Sequence, residues 1–414
     1  MNRFTRDGSS PRRVRRCIAL LAVTAMATLA ACGGAGGSGS GSGDEPIKIA
    51  LIPPSGGVFA IYGRDTIKAW EFAADEVNAA GGVDGRKVEI TAVETDGTPA
   101  ATVRAARRAV TQDGARFIGG IITSPEVAAL QPQLPSMNAL LLNSSAVDDP
   151  LTGEQCNANA FRFVQNTRMA IGGVASSLKD LPVKKWAIMA VDYSAGRTSA
   201  KAFTKAVEAS GGEVVMTQFA PQPTADFGSF ITKLQDSGAD GLYVHENGVD
   251  AQAFVNQGTQ FNLFDSFKSI VSFKVINEPL FETFGQKVDG FNADLGYAHQ
   301  LDNPENAAFV KAWKDEFGSD PYHVEADNYL TAQALFKAVE DAGSVEPKDV
   351  AATMEKLSMD SIVGPIEMRG ADHQLQRSSY FAGVKFADGQ LGWDDITEIP
   401  ASQTTPTADP ACKL

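Results

Sequence analysis

The chain has 414 residues, 43% hydrophobic and 21% charged, the balance of an ordinary globular protein with two or three domains' worth of core. Its 50 acidic against 36 basic side chains give a formal charge of −14. That acidity excludes the basic footprint that nucleic acid or anionic lipid needs in a partner.

Residues 1–31 read as an export signal. Six arginines crowd the start, an apolar run follows from Cys17 to Leu29, and small residues precede Cys32. The run holds about a dozen residues, against roughly 20 for a membrane-spanning helix. Leu29-Ala30-Ala31-Cys32 resembles a bacterial lipobox, which implies a lipid on Cys32 and a membrane-tethered, extracytoplasmic chain. The alternative is an ordinary secretory signal cut nearby, with Cys32 a free thiol; Sec and twin-arginine export both stay open. Loss of six arginines and Asp7 removes a net +5 and takes the charge from −14 to −19. Of four cysteines, Cys156 and Cys412 then remain, and two leftover cysteines in an oxidising compartment are expected to pair. No CxxC or HxxxH spacing accompanies them, so no metal site and no cofactor is expected. The Gly/Ser run within residues 32–45 reads as a flexible leash.

From there apolar runs alternate with helical periodicity. Strand Ile47 to Ile52 precedes a helix near Gly63 to Ala80, strand Lys87 to Val93 and a helix from Ala100 to Asp113. Strand Phe117 to Ile121, a helix from Pro125 to Pro135 and strand Ala139 to Asn143 follow. A second run has strands at Trp186 to Ala190, Glu213 to Phe219 and Gly241 to Val244. Its helices lie at Thr198 to Ala209, Phe227 to Ser237 and Asp250 to Gln257. This rhythm predicts an α/β fold with parallel sheets covered by helices. Gly81-Gly82 and Gly211-Gly212 each open a strand–helix–strand unit, so the two runs echo each other as two lobes of one architecture. Ligands of such sheets bind beyond the carboxyl ends of the strands, and two facing lobes make a cleft.

The chain resembles the substrate-binding proteins of branched-chain amino acid type that serve ABC importers. The residues that carry the resemblance are Ser55-Gly56 to Tyr62-Gly63, Ala73-Ala74-Asp75-Glu76-Val77-Asn78, Gly81 to Gly85, and Asp96 with Pro99. Further on are Cys156 to Phe161-Arg162, Asp192-Tyr193, Gly364-Pro365-Ile366 and Asp388-Gly389. It implies two Rossmann-like lobes of periplasmic-binding-protein type I, joined by three hinge crossings. Lobe one would be 46–165 plus 298–362, lobe two 166–297 plus 363–400, and 401–414 an irregular tail. It also implies a monomer that closes on a small ligand and is recognised by a membrane permease, without chemistry on the ligand.

By the same resemblance, lobe one holds a carboxylate with hydroxyls and backbone amides at Thr123, Ser124, Ser145 and Ala146, under Tyr62. Tyr193, Glu246, Asn247, Phe273 and Lys274 form the lobe-two side. The chain departs from the family at Val147, where a threonine hydroxyl is usual, and at Ala195 and Asn247, where aromatics are usual. Phe273 stands where an acid pairs with a ligand ammonium. A buried ammonium without a carboxylate costs several kcal/mol, so the expected ligand is a small carboxylate with an apolar or aromatic body, unless Glu246 supplies the lost charge. A ligand sensor feeding a signalling partner is the alternative to import. Catalysis is not expected: the four histidines, at 245, 299, 323 and 373, lie in no zinc or nucleophile motif.

Overall fold

A computed structural model describes residues 45–414; the expected signal segment, the lipid on Cys32 and most of the leash lie outside the described residues. Five short, apolar segments pair first: β1 (Ile47–Leu51), β2 (Val88–Ala92), β3 (Phe117–Gly119), β4 (Leu140–Asn143) and β5 (Ala160–Arg162). All their pairings are parallel, in the order β2-β1-β3-β4-β5. The chain then crosses and repeats the pattern. β6 (Lys185–Val191), β7 (Glu213–Ala220), β8 (Gly241–His245), β9 (Ser269–Ser272) and β10 (Asn292–Leu295) align as β7-β6-β8-β9-β10. The internal echo in the sequence is thus one strand order used twice.

After a second crossing, helices Pro304–Phe317 and His323–Ala342 cover the first sheet, which β11 (Ser358–Met359), β12 (Ile366–Arg369) and β13 (Gln374–Gln376) extend at its β5 edge. A third crossing leads to β14 (Ser379–Ala387) and β15 (Gln390–Ile399), antiparallel strands on the β10 edge of the second sheet. The lobe boundary expected between residues 362 and 363 therefore moves to residues 377–378. β12 and β13 are held in the first sheet by the antiparallel pair between them and by the parallel bridge of Gln374 to Arg162. The tail is also more regular than expected: Ala401–Thr404 is a helical turn with Thr404 buried.

Helix Ala60–Ala79 shows why the sequence folds this way. Thr66, Ala69, Trp70 and Ala73 recur at helical spacing and are fully buried against the first sheet. Close approach demands glycine at its start, because a Cβ on Gly63 would lie 2.1 Å from the Pro54 carbonyl oxygen. Gly196, in the equivalent helix Ser194–Ala209 after β6, meets the Val191 carbonyl oxygen at 2.0 Å in the same way. Both lobes so bring the first helix hard onto its strand, and its N-terminal turn to the cleft.

Arg377, fully buried, ties the three crossings together. Its guanidinium donates to the carbonyls of Phe163 on the first crossing and Gly296 on the second, while Arg377 itself stands on the third. Nη1 also donates to Asp327 Oδ1 at 2.6 Å. Removing one member of a buried ion pair strands the other charge and costs about 3–5 kcal/mol. Arg377→Met should accordingly lower the urea midpoint by that equivalent, and Asp327→Asn added to it should restore part of the loss; an unchanged midpoint would refute the clamp.

Cys156 and Cys412 are bonded, with Cα atoms 5.5 Å apart and a sequence separation of 256. Closing so long a loop is worth a few kcal/mol in the unfolded-chain model. The double serine variant should unfold about 2–5 kcal/mol more easily in a denaturant titration, and the wild type should fall to the same level when reduced.

Candidate functional site

The lobes meet over a cavity of about 60 Å³ at the carboxyl ends of the strands. Lobe one brings the turns after β1, β3 and β4 together with the N-terminus of helix His323–Ala342; lobe two brings the turns after β6, β8 and β9. Hydrogen bonds with neutral donors bridge the two sides. Asn277 Nδ2 donates to Tyr62 Oη at 3.2 Å, and Thr198 Oγ1 donates to Asp148 Oδ1 at 2.7 Å. Gly248, with φ 52°, packs so tightly on Val58 that a Cβ would lie 2.1 Å from its carbonyl oxygen.

Of the residues expected from sequence, Tyr62, Ser124, Ser145, Ala146, Tyr193, Asn247 and Lys274 line this cavity. Thr123, Glu246 and Phe273 do not. Thr123 is the N-cap of helix Ser124–Leu130, and its hydroxyl donates to Glu126 Oε2 at 2.7 Å in a capping box. Phe273 lies in the lobe-two core behind the wall, edge-on to the His245 ring at 4.6 Å. The amides expected to hold a carboxylate are also engaged: Ser145 and Ala146 N–H both donate to Asn143 Oδ1, at 3.1 and 2.8 Å. Val147, the departure from the family pattern, faces the cavity as a methyl surface.

Phe59, Ile122, Ser144, Val164, His323, Val324 and Asp327 join the lining without having been singled out for it. Asp327 is the one carboxylate of that lining among the described residues, and Arg377 already neutralises it. His323 and Asp327 stand four residues apart on one helix face, a spacing visible in the sequence, but only the fold turns that face to the cleft.

Hydrogen-bond roles follow from the partners. Tyr62 Oη accepts from Asn277, and Tyr193 Oη from Asn247 Nδ2 at 3.4 Å, so each phenol keeps its proton for another acceptor. Burial pushes both phenols up, away from ionisation. Ser144 donates to Asn328 Oδ1, whereas Ser124 accepts from the Asp148 N–H and retains a donor. Lys274, held at φ 62°, carries an ammonium with no ion pair among the described residues; Asp294 feels its charge yet accepts no hydrogen bond. Burial, and then the Lys274 and Arg377 charges, push His323 well below its usual range. His245 is pushed down to about 3 by burial and by Lys274. Both imidazoles are neutral at physiological pH.

The second run of β8 ends in alternation: His245 and Asn247 face the cavity, and Glu246 between them turns away. Neither Glu246 oxygen has a partner among the described residues, and burial, with Asp250 nearby, pushes its carboxyl up to about 9. A neutral acid is no counter-ion for an ammonium. Below about pH 4.5 the group is protonated in both folded and unfolded chains. From there to about pH 9 only the unfolded chain releases the proton, so the group lowers stability as pH rises through that window. Glu246→Gln should therefore leave the melting temperature nearly unchanged at pH 4.5 and raise it at pH 8; a lower melting temperature at pH 8 would contradict a buried neutral acid.

A profile described as periplasmic binding protein matches residues 46–390. The chain belongs to that family. It is thus an extracytoplasmic binding protein of the periplasmic type, not an enzyme, and no helix of the described residues is long and apolar enough to cross a membrane. Among curated relatives, Leu/Ile/Val-binding protein homolog 8 of Brucella abortus (strain 2308) is 27% identical over 368 residues, covering 83% of this chain and 89% of the relative. Homolog 1 of Brucella suis biovar 1 is 28% identical over 363 residues, covering 85% and 94%. A solved solute-binding protein of an ABC transporter from R. palustris, in complex with 4-hydroxybenzoate, superposes with TM-score 0.80 at 24% identity, covering 86% and 97%. A branched-chain amino acid transporter structure from Rhodopseudomonas palustris gives TM-score 0.73 at 22% identity, covering 88% and 99%. At these identities the structures speak to the fold alone.

Proposed function

We propose that this protein captures a small carboxylate with an apolar or aromatic body by lobe closure and hands it to an ABC permease, while tethered through a lipid on Cys32. The observation that carries the reading is the Lys274 ammonium at a cavity wall whose single carboxylate, Asp327, is already bound to Arg377. A ligand anion supplies the direct partner that Asp294, which feels the Lys274 charge without pairing to it, does not. Ser145, Ser124 and the two phenols offer further donors, and Phe59, Ile122, Val147, Val164 and Val324 supply apolar walls. Complexes with 4-hydroxybenzoate and benzoate among proteins of the same fold are consistent with this chemistry.

Size narrows the class. A cavity that takes up benzene is roughly 150 Å³, against about 60 Å³ here. A short-chain acid fits the lobes as they stand, and an aromatic acid must part them slightly. A free α-amino acid is disfavoured despite the names of the curated relatives, because Glu246 is neutral and Asp327 is taken.

Calorimetric titration of the purified protein with benzoate, butyrate, isovalerate and leucine tests this. The acids should bind, leucine should not, and Lys274→Met should weaken acid binding by roughly 30-fold or more, as loss of one partner of a buried charge pair does. Tight leucine binding that survives Lys274→Met would refute the reading.

A further inference from the structure

Lys274 and the hydroxyls account for the acid end of the ligand, but they leave one polar group of the wall unexplained. His245 is 1% exposed, lines the cavity and pairs through Nδ1 with Ser199 Oγ at 2.6 Å. Ser199 has a single proton, and it is committed to the Gly196 carbonyl at 2.9 Å. With that proton on the Gly196 carbonyl, the Ser199 oxygen accepts from the ring, and the imidazole carries its proton on Nδ1. Nε2, which makes no hydrogen bond among the described residues, is left at the cavity wall as a lone pair.

We propose that His245 is a specificity-determining residue: a fixed hydrogen-bond acceptor that selects a hydroxy acid, whose hydroxyl donates to Nε2 while its carboxylate lies on Lys274. This rests on the carboxylate reading of the same cavity. The lone pair repels a carboxylate, which sets the ligand's direction in the cleft. An ammonium would satisfy Nε2 as a donor, but it would lie in the field of Lys274, already strong enough to act on this imidazole. An acid without a hydroxyl leaves a buried acceptor unpaired, an asymmetry that costs more than the bond itself contributes.

Two measurements test this. In 15N-labelled protein the His245 imidazole should show the neutral Nδ1–H tautomer, with Nε2 unprotonated at pH 7; an Nε2–H tautomer overturns the proposal, whatever the protein binds. In titrations with butyrate and benzoate against their 2-, 3- and 4-hydroxy isomers, at least one isomer should bind about tenfold or more tightly than its parent. That preference should shrink in Ser199→Ala, which frees the tautomer, and vanish in His245→Leu. Equal binding of parents and all isomers by the wild type overturns the proposal while leaving the carboxylate reading intact. If none of these acids binds, the carboxylate reading fails and the hydroxy-acid selectivity with it.

Discussion

The buried guanidinium of Arg377 is the interaction on which the two-lobed arrangement depends. A hinge of three separate crossings is a weak joint unless something couples the strands, and water cannot do so in a fully buried space. Arg377 supplies donors to carbonyls of the other two crossings, and Gln165 on the first crossing adds bonds to Ser378 and Ser379 on the third. A buried cation needs an anion, and the one it has, Asp327, stands in the cleft wall. Hinge geometry and cleft electrostatics are thus set by a single pair. The charge that would otherwise welcome an ammonium is spent on holding the crossings together.

The rest of the cleft follows from burial. Carboxyls and imidazoles with no charged partner are driven to their neutral forms, as Glu246, His245 and His323 are. Lys274 differs because its stem emerges from a left-handed residue two positions after β9, a conformation a lysine adopts at a cost of about 1–3 kcal/mol. Such strain is retained where the surroundings over-determine it, and here it sets the lysine at the cavity wall beside the two neutral rings.

Much of the fold was legible in the chain, and the reasons are local. The apolar strands from β1 to β4 and β6 to β8 announce themselves by composition, and β2 and β7 also by the glycine pairs that precede them. β12 and β13 were assigned to the wrong lobe because Ile-Glu-Met-Arg and Gln-Leu-Gln are short and half polar, so only their pairing places them. The site was legible where position along a strand decides the direction of a side chain, and illegible where hydroxyl chemistry is ambiguous. Thr123 has the residue type of a ligand contact and of a helix cap alike; Glu126, three residues on, was the sign of the second. Ser145 and Ala146 line the cavity, but no local pattern shows that Asn143 takes their amides. His323 and Asp327 needed the tertiary fold, since nothing between β10 and their helix marks which face turns to the cleft.

The asymmetry between the lobes bears on closure. Lobe one contributes hydroxyls and methyl surfaces; lobe two contributes the cation and the imidazole acceptor. The contacts that join the lobes directly, Asn277 to Tyr62 and Thr198 to Asp148, are hydrogen bonds with a neutral donor and need no ligand to form. They make the closed arrangement reachable without committing the molecule to it. A ligand shifts the balance only by contacts it makes in one state and not the other. On the proposed reading, an acid held by Lys274 on one lobe and by the Ser145 and Tyr62 hydroxyls on the other would make its second set of contacts only when the lobes meet, and its charge would turn a balanced hinge into a closed one.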